Sequence, residues 1–259
     1  MPSLHKPLTL FSLLWLFTAQ ALTAESDPEA LALLRKGEAL MRSGATAAEY
    51  RIDIIRPDWR RTMTFRSHDD RRNDRFRMEI LSPRKTRGTV FLKIDNTLSM
   101  YLPKLERRIN ISPAMLQDPW MGSDFNNQDL LETDSLIDDY IHRIIGREGE
   151  GAATVITLES TPKPAAAVTW ERLQQRIRAD GLPLELEYRC ERRTGRRLVF
   201  DEFKEMDGRT IPTRWTMSPL DDTGKRTVIT LTAIDFDAVI DPALFTPETK
   251  GGGGPVPDR

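Results

Sequence analysis

Apolar residues alternating with polar ones at period two constrain this chain most, because that period fits a strand with one buried face and no helix. Tyr50, Ile52 and Ile54 alternate with Arg51, Asp53 and Ile55; Met63 and Phe65 with Thr62, Thr64 and Arg66; Phe76, Met78 and Ile80 with Arg77 and Glu79. Pro57-Asp58 turns the chain after the first of these, and residues 68–74 read as a polar hairpin end. Later, Leu184, Leu186 and Tyr188 alternate, and Thr194-Gly195, Asp207-Gly208 and Thr223-Gly224 punctuate strands over 198–203, 211–217 and 227–236. Short polar turns between such runs predict an antiparallel meander. Residues 140–147 and 153–160 also read as strands, residues 129–135 as an acidic helical turn, and 161–167 as a loop. Residues 168–179 fit either period and are assigned to a strand, because Asp180-Gly181 after them suits a hairpin turn.

One helix precedes the strands. Asp27 suits an N-cap, Pro28 the first helical position, and Glu29 the positive end of the helix dipole. Leu31, Leu34, Leu40 and Met41 form one stripe, Leu33 broadens it, and Gly37 weakens the centre before Ser43-Gly44 ends it. Such a helix, over 28–42, is expected to cover one face or mouth of the sheet.

Residues 88–131 hold the least ordinary stretch. Val90, Leu92 and Ile94 alternate with Thr89, Phe91, Lys93 and Asp95, so both faces of this strand carry apolar groups; Asn96-Thr97 turns it, and Leu98, Met100 and Leu102 resume the pattern up to Pro103. A basic strand over 104–111 follows. The next loop is too apolar for solvent: Met115, Leu116, Trp120, Met121 and Phe125 sit among Pro113, Pro119 and Gly122. Two readings stand side by side. The loop is a core plug anchored by Trp120, or a lid over an apolar cavity in which Met supplies adaptable contacts.

These residues carry a resemblance. Met100-Tyr101-Leu102-Pro103-Lys104, a basic strand, and Trp120-Met121-Gly122-Ser123-Asp124-Phe125 resemble the LolA-like family of periplasmic outer-membrane lipoprotein-sorting proteins. The resemblance runs from the first helix to the closing Asp241-Pro242-Ala243-Leu244-Phe245. It implies a mainly β fold: a single curved antiparallel sheet, a half-open barrel, with the N-terminal helix and a short helical loop covering the concave face. It also implies a carrier of lipoprotein or lipid acyl chains, with an inner-membrane transporter as donor and an outer-membrane acceptor. On that reading Leu92, Ile94, Leu98, Met100 and Leu102 line the cavity, and Met115, Leu116, Trp120, Met121 and Phe125 form the lid. Arg107 and Arg108, just before the loop, are the candidates for holding an anionic head group or an acidic partner.

The ends fit export. His5 and Lys6, an apolar run over 8–17 and Ala19-Gln20-Ala21 have the layout of a cleaved signal peptide over 1–24, cut after Ala21 or Ala24, too short to span a bilayer comfortably. No cysteine follows it to take a lipid. The remaining roughly 235 residues suit one β-rich domain over 25–249, and 250–259 form a Gly/Pro tail expected to be disordered. With a formal net charge of −1, nothing argues for bulk electrostatic attachment to nucleic acid or membrane, and membrane contact is expected to be transient only. The single cysteine, Cys190, cannot form an internal disulfide.

Chemistry-bearing patterns are sparse. His68 and His142 have no second ligand at metal spacing, and there is no Gly-x-Ser-x-Gly elbow or phosphate-cradling loop. No metal, cofactor or catalytic residue is assigned. Most of the abundant arginines read as a solvated outer face, and Asp124 as an acceptor that fixes the loop. The expected function is a non-enzymatic periplasmic carrier. The alternatives are an accessory protein of a membrane exporter of RND or ABC type, marked by a cavity packed shut, and a secreted hydrolase, marked by a His beside a Ser or Asp in a cleft.

Overall fold

A computed structural model describes residues 25–131, 135–164, 166 and 168–246; the leader over 1–24 and the tail over 250–259 lie outside them. Helix α1 (Pro28–Met41) precedes β1 (Thr46–Ile55), β2 (Arg60–Asp70), β3 (Arg75–Ser82), β4 (Val90–Ile94), β5 (Thr97–Leu102) and β6 (Arg107–Asn110). A short α2 (Ser135–Asp138) leads into β7 (Tyr140–Glu148), β8 (Val155–Pro162), β9 (Arg172–Arg178), β10 (Pro183–Cys190), β11 (Arg193–Met206), β12 (Arg209–Pro219) and β13 (Arg226–Asp235). The strands form one 13-stranded antiparallel sheet in the order β6-β5-β4-β3-β2-β1-β13-β12-β11-β10-β9-β8-β7. It is curved and not closed. Each half is a meander, and the halves are joined where β1 pairs with β13, Ile52 opposite Ile229. The two open edges, β6 and β7, are therefore consecutive in sequence.

Cross-strand register identifies one apolar face running the width of the sheet. Tyr50 lies opposite Phe65 and Leu231, Ile52 opposite Met63, Phe65 opposite Ile80, Met78 opposite Phe91, and Phe91 opposite Met100. On the other half, Met217 lies opposite Leu198, Leu198 opposite Leu186, and Tyr188 opposite Leu173. This is the concave, core face.

Residues 168–179 do supply a strand, β9. Two turn readings need correction. His68 and Asp70 belong to β2 and are buried, and the turn is the following 3-10 segment Arg71–Asn73. Thr194-Gly195 lies inside β11, and the chain turns instead at Glu191-Arg192; the preceding strand simply continues further than its apolar alternation. The acidic helical turn read over 129–135 splits into a 3-10 turn (Asn127–Leu130) and α2, with 132–134 outside the described residues.

Helix α1 closes one end of the concave face. Asp27 caps it by accepting from the Glu29 amide at 3.0 Å. Ala30, Leu33 and Leu34 pack on Ile156, Leu158 and Ile177, and Met41 reaches Ala48, Ile211 and Phe236 at the β1–β13 seam. Gly37 is more than a weak point in the helix: a Cβ there would sit 2.6 Å from the Gly181 carbonyl oxygen of the β9–β10 turn. In an exposed helix Gly→Ala stabilises by about 1 kcal/mol. Here Gly37→Ala is expected to lower the urea midpoint instead, by about 1–2 kcal/mol of stability, because neither backbone can give way without unpacking the helix.

The convex face carries a polar row. His68 lies opposite Arg77, which is fully buried and ion-paired with Glu79 at 3.0 Å. Burial, followed by the charges of Arg77 and Arg66, pushes the His68 pKa down to about 4. An unfolded histidine titrates near 6.5, so the stability His68 contributes is complete above that value and is lost as pH falls toward about 4. Between about pH 6.5 and 5 the loss is about 1.5 kcal/mol, short of the full 1.36 kcal/mol per unit because the unfolded histidine is only half protonated at the upper end. Urea titrations across that window should show the wild type losing about this much more than His68→Gln.

Candidate functional site

Because β6 and β7 are the free edges, the chain between them has to bridge the open side of the sheet, and its described residues over 111–131 lie in the concave face. Three 3-10 turns shape its first part: Pro113–Met115, Trp120–Gly122 and Asn127–Leu130. The Trp120 amide donates to the Phe125 carbonyl at 2.8 Å, closing a tight loop. Its tip uses left-handed backbone at Met121 (φ 52°) and Gly122 (φ 78°). Asn126 and Asp129 make a reciprocal cap of the last turn, each side chain accepting from the other's amide. The segment thus holds its own shape and presents apolar side chains to the sheet.

Trp120 is the centre of that contact, 2 % exposed. Its ring meets Phe65 and Phe91 edge-on at centroid distances of 5.9 and 5.8 Å. Met115, Leu116, Met121, Phe125, Leu130 and Leu131 pack around it against Ile52, Met63, Met78, Ile80 and Leu98. Phe125 also touches the second cluster, built on Tyr140, Trp170, Tyr188 and Met217. Of the two alternatives for the loop, this conformation is the plug.

Polar contacts fasten the segment along one rim. The Asp124 carboxylate accepts from Arg56 Nη1 at 3.0 Å and Thr227 Oγ1 at 2.6 Å. Arg56 Nη2 donates to the Gly122 carbonyl at 2.9 Å and Arg61 Nη1 to the Met121 carbonyl at 3.1 Å. From β11, Arg196 donates from Nη1 to Asp129 at 2.8 Å and to the Asp124 carbonyl at 3.3 Å while its guanidinium stacks over Tyr188 and Trp170. Arg56, Asp124 and Arg196 have side chains only 8–11 % exposed. Asp124 is thus the loop-fixing acceptor that its sequence context suggests. Arg56, Arg196 and Thr227 carry no sequence signal that separates them from the other polar residues of the strands and turns.

The anticipated cavity positions divide. Leu98 is buried and Met100 half-buried in the concave cluster, with Leu102 in the same alternation. Leu92 and Ile94 face the other way, because Phe91 and Lys93 are the β4 residues opposite Met100 and Leu98. The reason is that β4 is apolar on both faces, so its alternation does not say which face turns inward. Phe91, buried beside Trp120, is the inward residue that sequence reasoning missed. Arg107 and Arg108 lie on the edge strand β6, where Arg108 donates to Ser99 Oγ at 3.1 Å and Arg107 is exposed.

Two open hollows lie elsewhere. One, of about 420 Å³, is bordered by Arg172, Arg189, Cys190 and Leu220; the other, of about 360 Å³, lies between α1 and the ends of β7 and β8 beside Leu33, Arg147 and Ile156. A histidine does meet a serine: His142 Nδ1 is 2.7 Å from Ser160 Oγ. Both residues are fully buried, and His142 Nε2 lies 3.0 Å from the Ile137 carbonyl, so the serine hydroxyl donates to Nδ1 and the pair ties α2 to the sheet. Burial pushes the His142 pKa down. Among the described residues no group of three metal-ligating side chains occurs, and no helix is long and apolar enough to cross a membrane.

Because Trp120 fills the centre of the core, Trp120→Ala should cost about 3–5 kcal/mol of folding stability, read as a lower urea midpoint.

The comparisons agree on this architecture. A solved DUF1329 family protein from Desulfovibrio piger is 22 % identical, with a TM-score of 0.76, covering 88 % of this chain and 100 % of its own. A domain from Vibrio parahaemolyticus described as an outer membrane lipoprotein-sorting protein is 22 % identical, with a TM-score of 0.70 over 84 % of this chain and 96 % of its own. A LolA superfamily protein from Nitrosomonas europaea is 18 % identical, with a TM-score of 0.69 over 85 % and 98 %. Comparison with the curated proteins finds no match. A family model described as "-like: Uncharacterized protein" matches residues 72–249, more than half of the chain. The chain belongs to that family, and its fold is LolA-like.

Proposed function

We propose that this protein is an exported periplasmic carrier that shelters acyl chains of a lipoprotein or lipid against the concave face of its sheet. One observation supports this reading above the others: the concave apolar face is covered by a non-strand segment whose apolar side chains mimic a ligand. Trp120, Met115, Leu116, Met121 and Phe125 occupy it, while the segment's polar ties sit at the rim. An acyl chain that replaces these side chains keeps the face out of water, at about 0.8 kcal/mol per buried methylene. On this view the plug and the lid are two states of one loop. The leader is removed on export, a membrane transporter hands over the cargo, and an acceptor at the outer membrane receives it.

A second reading, the exporter accessory, draws on a different observation: the concave cluster is packed shut around Trp120, and the two hollows described above lie outside it. The two part on one experiment. A fluorescent fatty-acyl probe is mixed with the wild type and with Asp124→Ala, which removes the acceptor shared by Arg56 and Thr227. The carrier reading expects saturable binding to both, with faster uptake by the variant because the rim tie is gone. Absence of saturable binding by either protein, each shown to be folded, would put the accessory reading ahead.

A further inference from the structure

At one end of the sheet three successive turns lie side by side. They are the β1–β2 hairpin at 56–59, the β3–β4 link at 83–89 and the β5–β6 turn at 103–106. Each is two strands from the next, so about 10 Å separates neighbours at about 4.8 Å per strand. The loop tip at Met121 and Gly122 is tied to the first of them, so this is also the rim of the covered face.

The chemistry of this rim is one-sided. Over 56–61, 83–87 and 103–107 the sequence has eight Arg and Lys against two acids, Asp58 and Glu106, in a chain whose net charge is −1. Two of these cations are matched with carboxylates from outside the three stretches, Arg56 with Asp124 and Arg60 with Asp53, as arginines commonly are elsewhere in the chain, for example Arg42 with Asp69 and Arg66 with Glu49. Arg84, Lys85, Lys104 and Arg107 are exposed and have no carboxylate partner among the described residues. Two apolar side chains protrude from the same turns. Leu105 is 67 % exposed, and Trp59 is 40 % exposed with the Arg56 and Arg61 guanidinium groups 5.7 and 5.2 Å from its ring centre.

We propose that this rim docks the protein on an anionic lipid surface, with Trp59 and Leu105 entering the interfacial layer and the surrounding cations meeting phosphate head groups. Tryptophan prefers that layer because its ring is apolar and its N–H polar, and cations near an anionic leaflet add attraction that salt screens. The geometry favours a bilayer over an acidic protein. Trp59 and Leu105 are wedges on separate turns, which a fluid interface accepts one by one, whereas a protein interface needs a contiguous apolar core. Docking here does not depend on what the concave face carries.

The test is sedimentation of purified protein with vesicles of phosphatidylcholine alone or with phosphatidylglycerol added, at low and high salt. Binding is expected only with phosphatidylglycerol, and to be lost at high salt. Arg84→Gln, Lys85→Gln and Lys104→Gln together should weaken it about 100-fold, from about 1 kcal/mol per cation. Brominated acyl chains should quench the tryptophan emission of the wild type and not the same fraction in Trp59→Phe. Urea midpoint and acyl-probe uptake of the triple variant should match the wild type, since Arg84, Lys85 and Lys104 touch neither the concave cluster nor its ties; that separates loss of docking from misfolding and from failure of the carrier reading, while Trp59→Phe, whose ring lies against the tie arginines Arg56 and Arg61, is read by quenching alone in protein shown to be folded. Equal binding to neutral vesicles, undiminished binding by the triple variant, or quenching unchanged in Trp59→Phe overturns the proposal. Absence of vesicle binding at low salt also overturns it and leaves an acidic protein as the rim's partner.

Discussion

The pairing of β1 with β13 decides where the sheet can be open. Every other pairing joins strands consecutive in sequence, so with the first strand joined to the last the one unpaired consecutive couple, β6 and β7, forms the gap. A curved sheet with a continuous apolar face cannot stay uncovered in water, and the hydrophobic term that drives covering grows with the area concerned. Helix α1 reaches one end of that face. The connection across the gap is the other chain available, which is why an inter-strand loop holds Trp120, Met121 and Phe125 rather than the usual polar residues.

Two kinds of force hold that loop, and they differ in kind more than in number. Its apolar contacts are large and unspecific, so another apolar body of similar volume can take their place. Its polar ties are few and directional. Asp124 is met at once by Arg56 and Thr227, and Asp129 by Arg196, with the ion pairs largely out of water. Losing one partner of such a pair strands a partly buried charge, so these ties set the loop's position even where the apolar contacts supply most of the stabilisation. The left-handed backbone at Met121 works in the opposite direction, since a side chain there disfavours that conformation.

Much of this was legible in the alternation of residues, and the failures have physical causes. The strands of both meanders, the capping helix with Asp27, and the unusual apolar loop all follow from periodicity and composition. Facing is harder. Period two gives the face of β1 or β3 because only one side is apolar, but Val90, Phe91 and Leu92 are all buried, so only register against β3 and β5 separates Phe91 from Leu92. The rim ties were illegible because they join residues far apart in sequence, such as Asp124 with Thr227 or Arg196 with Asp129. Nothing local distinguishes Arg56 or Arg196 from the many arginines around them.

The same seam has a consequence in time. A chain that emerges from its N-terminus makes β1 to β6 and the apolar loop while the strands from β7 onward are still to come. Until β13 arrives, β1 has an unpaired edge, and the cluster around Tyr140, Trp170 and Met217 that meets Phe125 does not exist. The half-made molecule therefore shows an open strand edge and a tryptophan-bearing loop together, the two features that most invite association between chains. Each meander can form early from local hairpins, whereas the seam joins residues as distant as Ala47 and Asp235 and comes late. The last strand made is thus the one that ends the vulnerable interval.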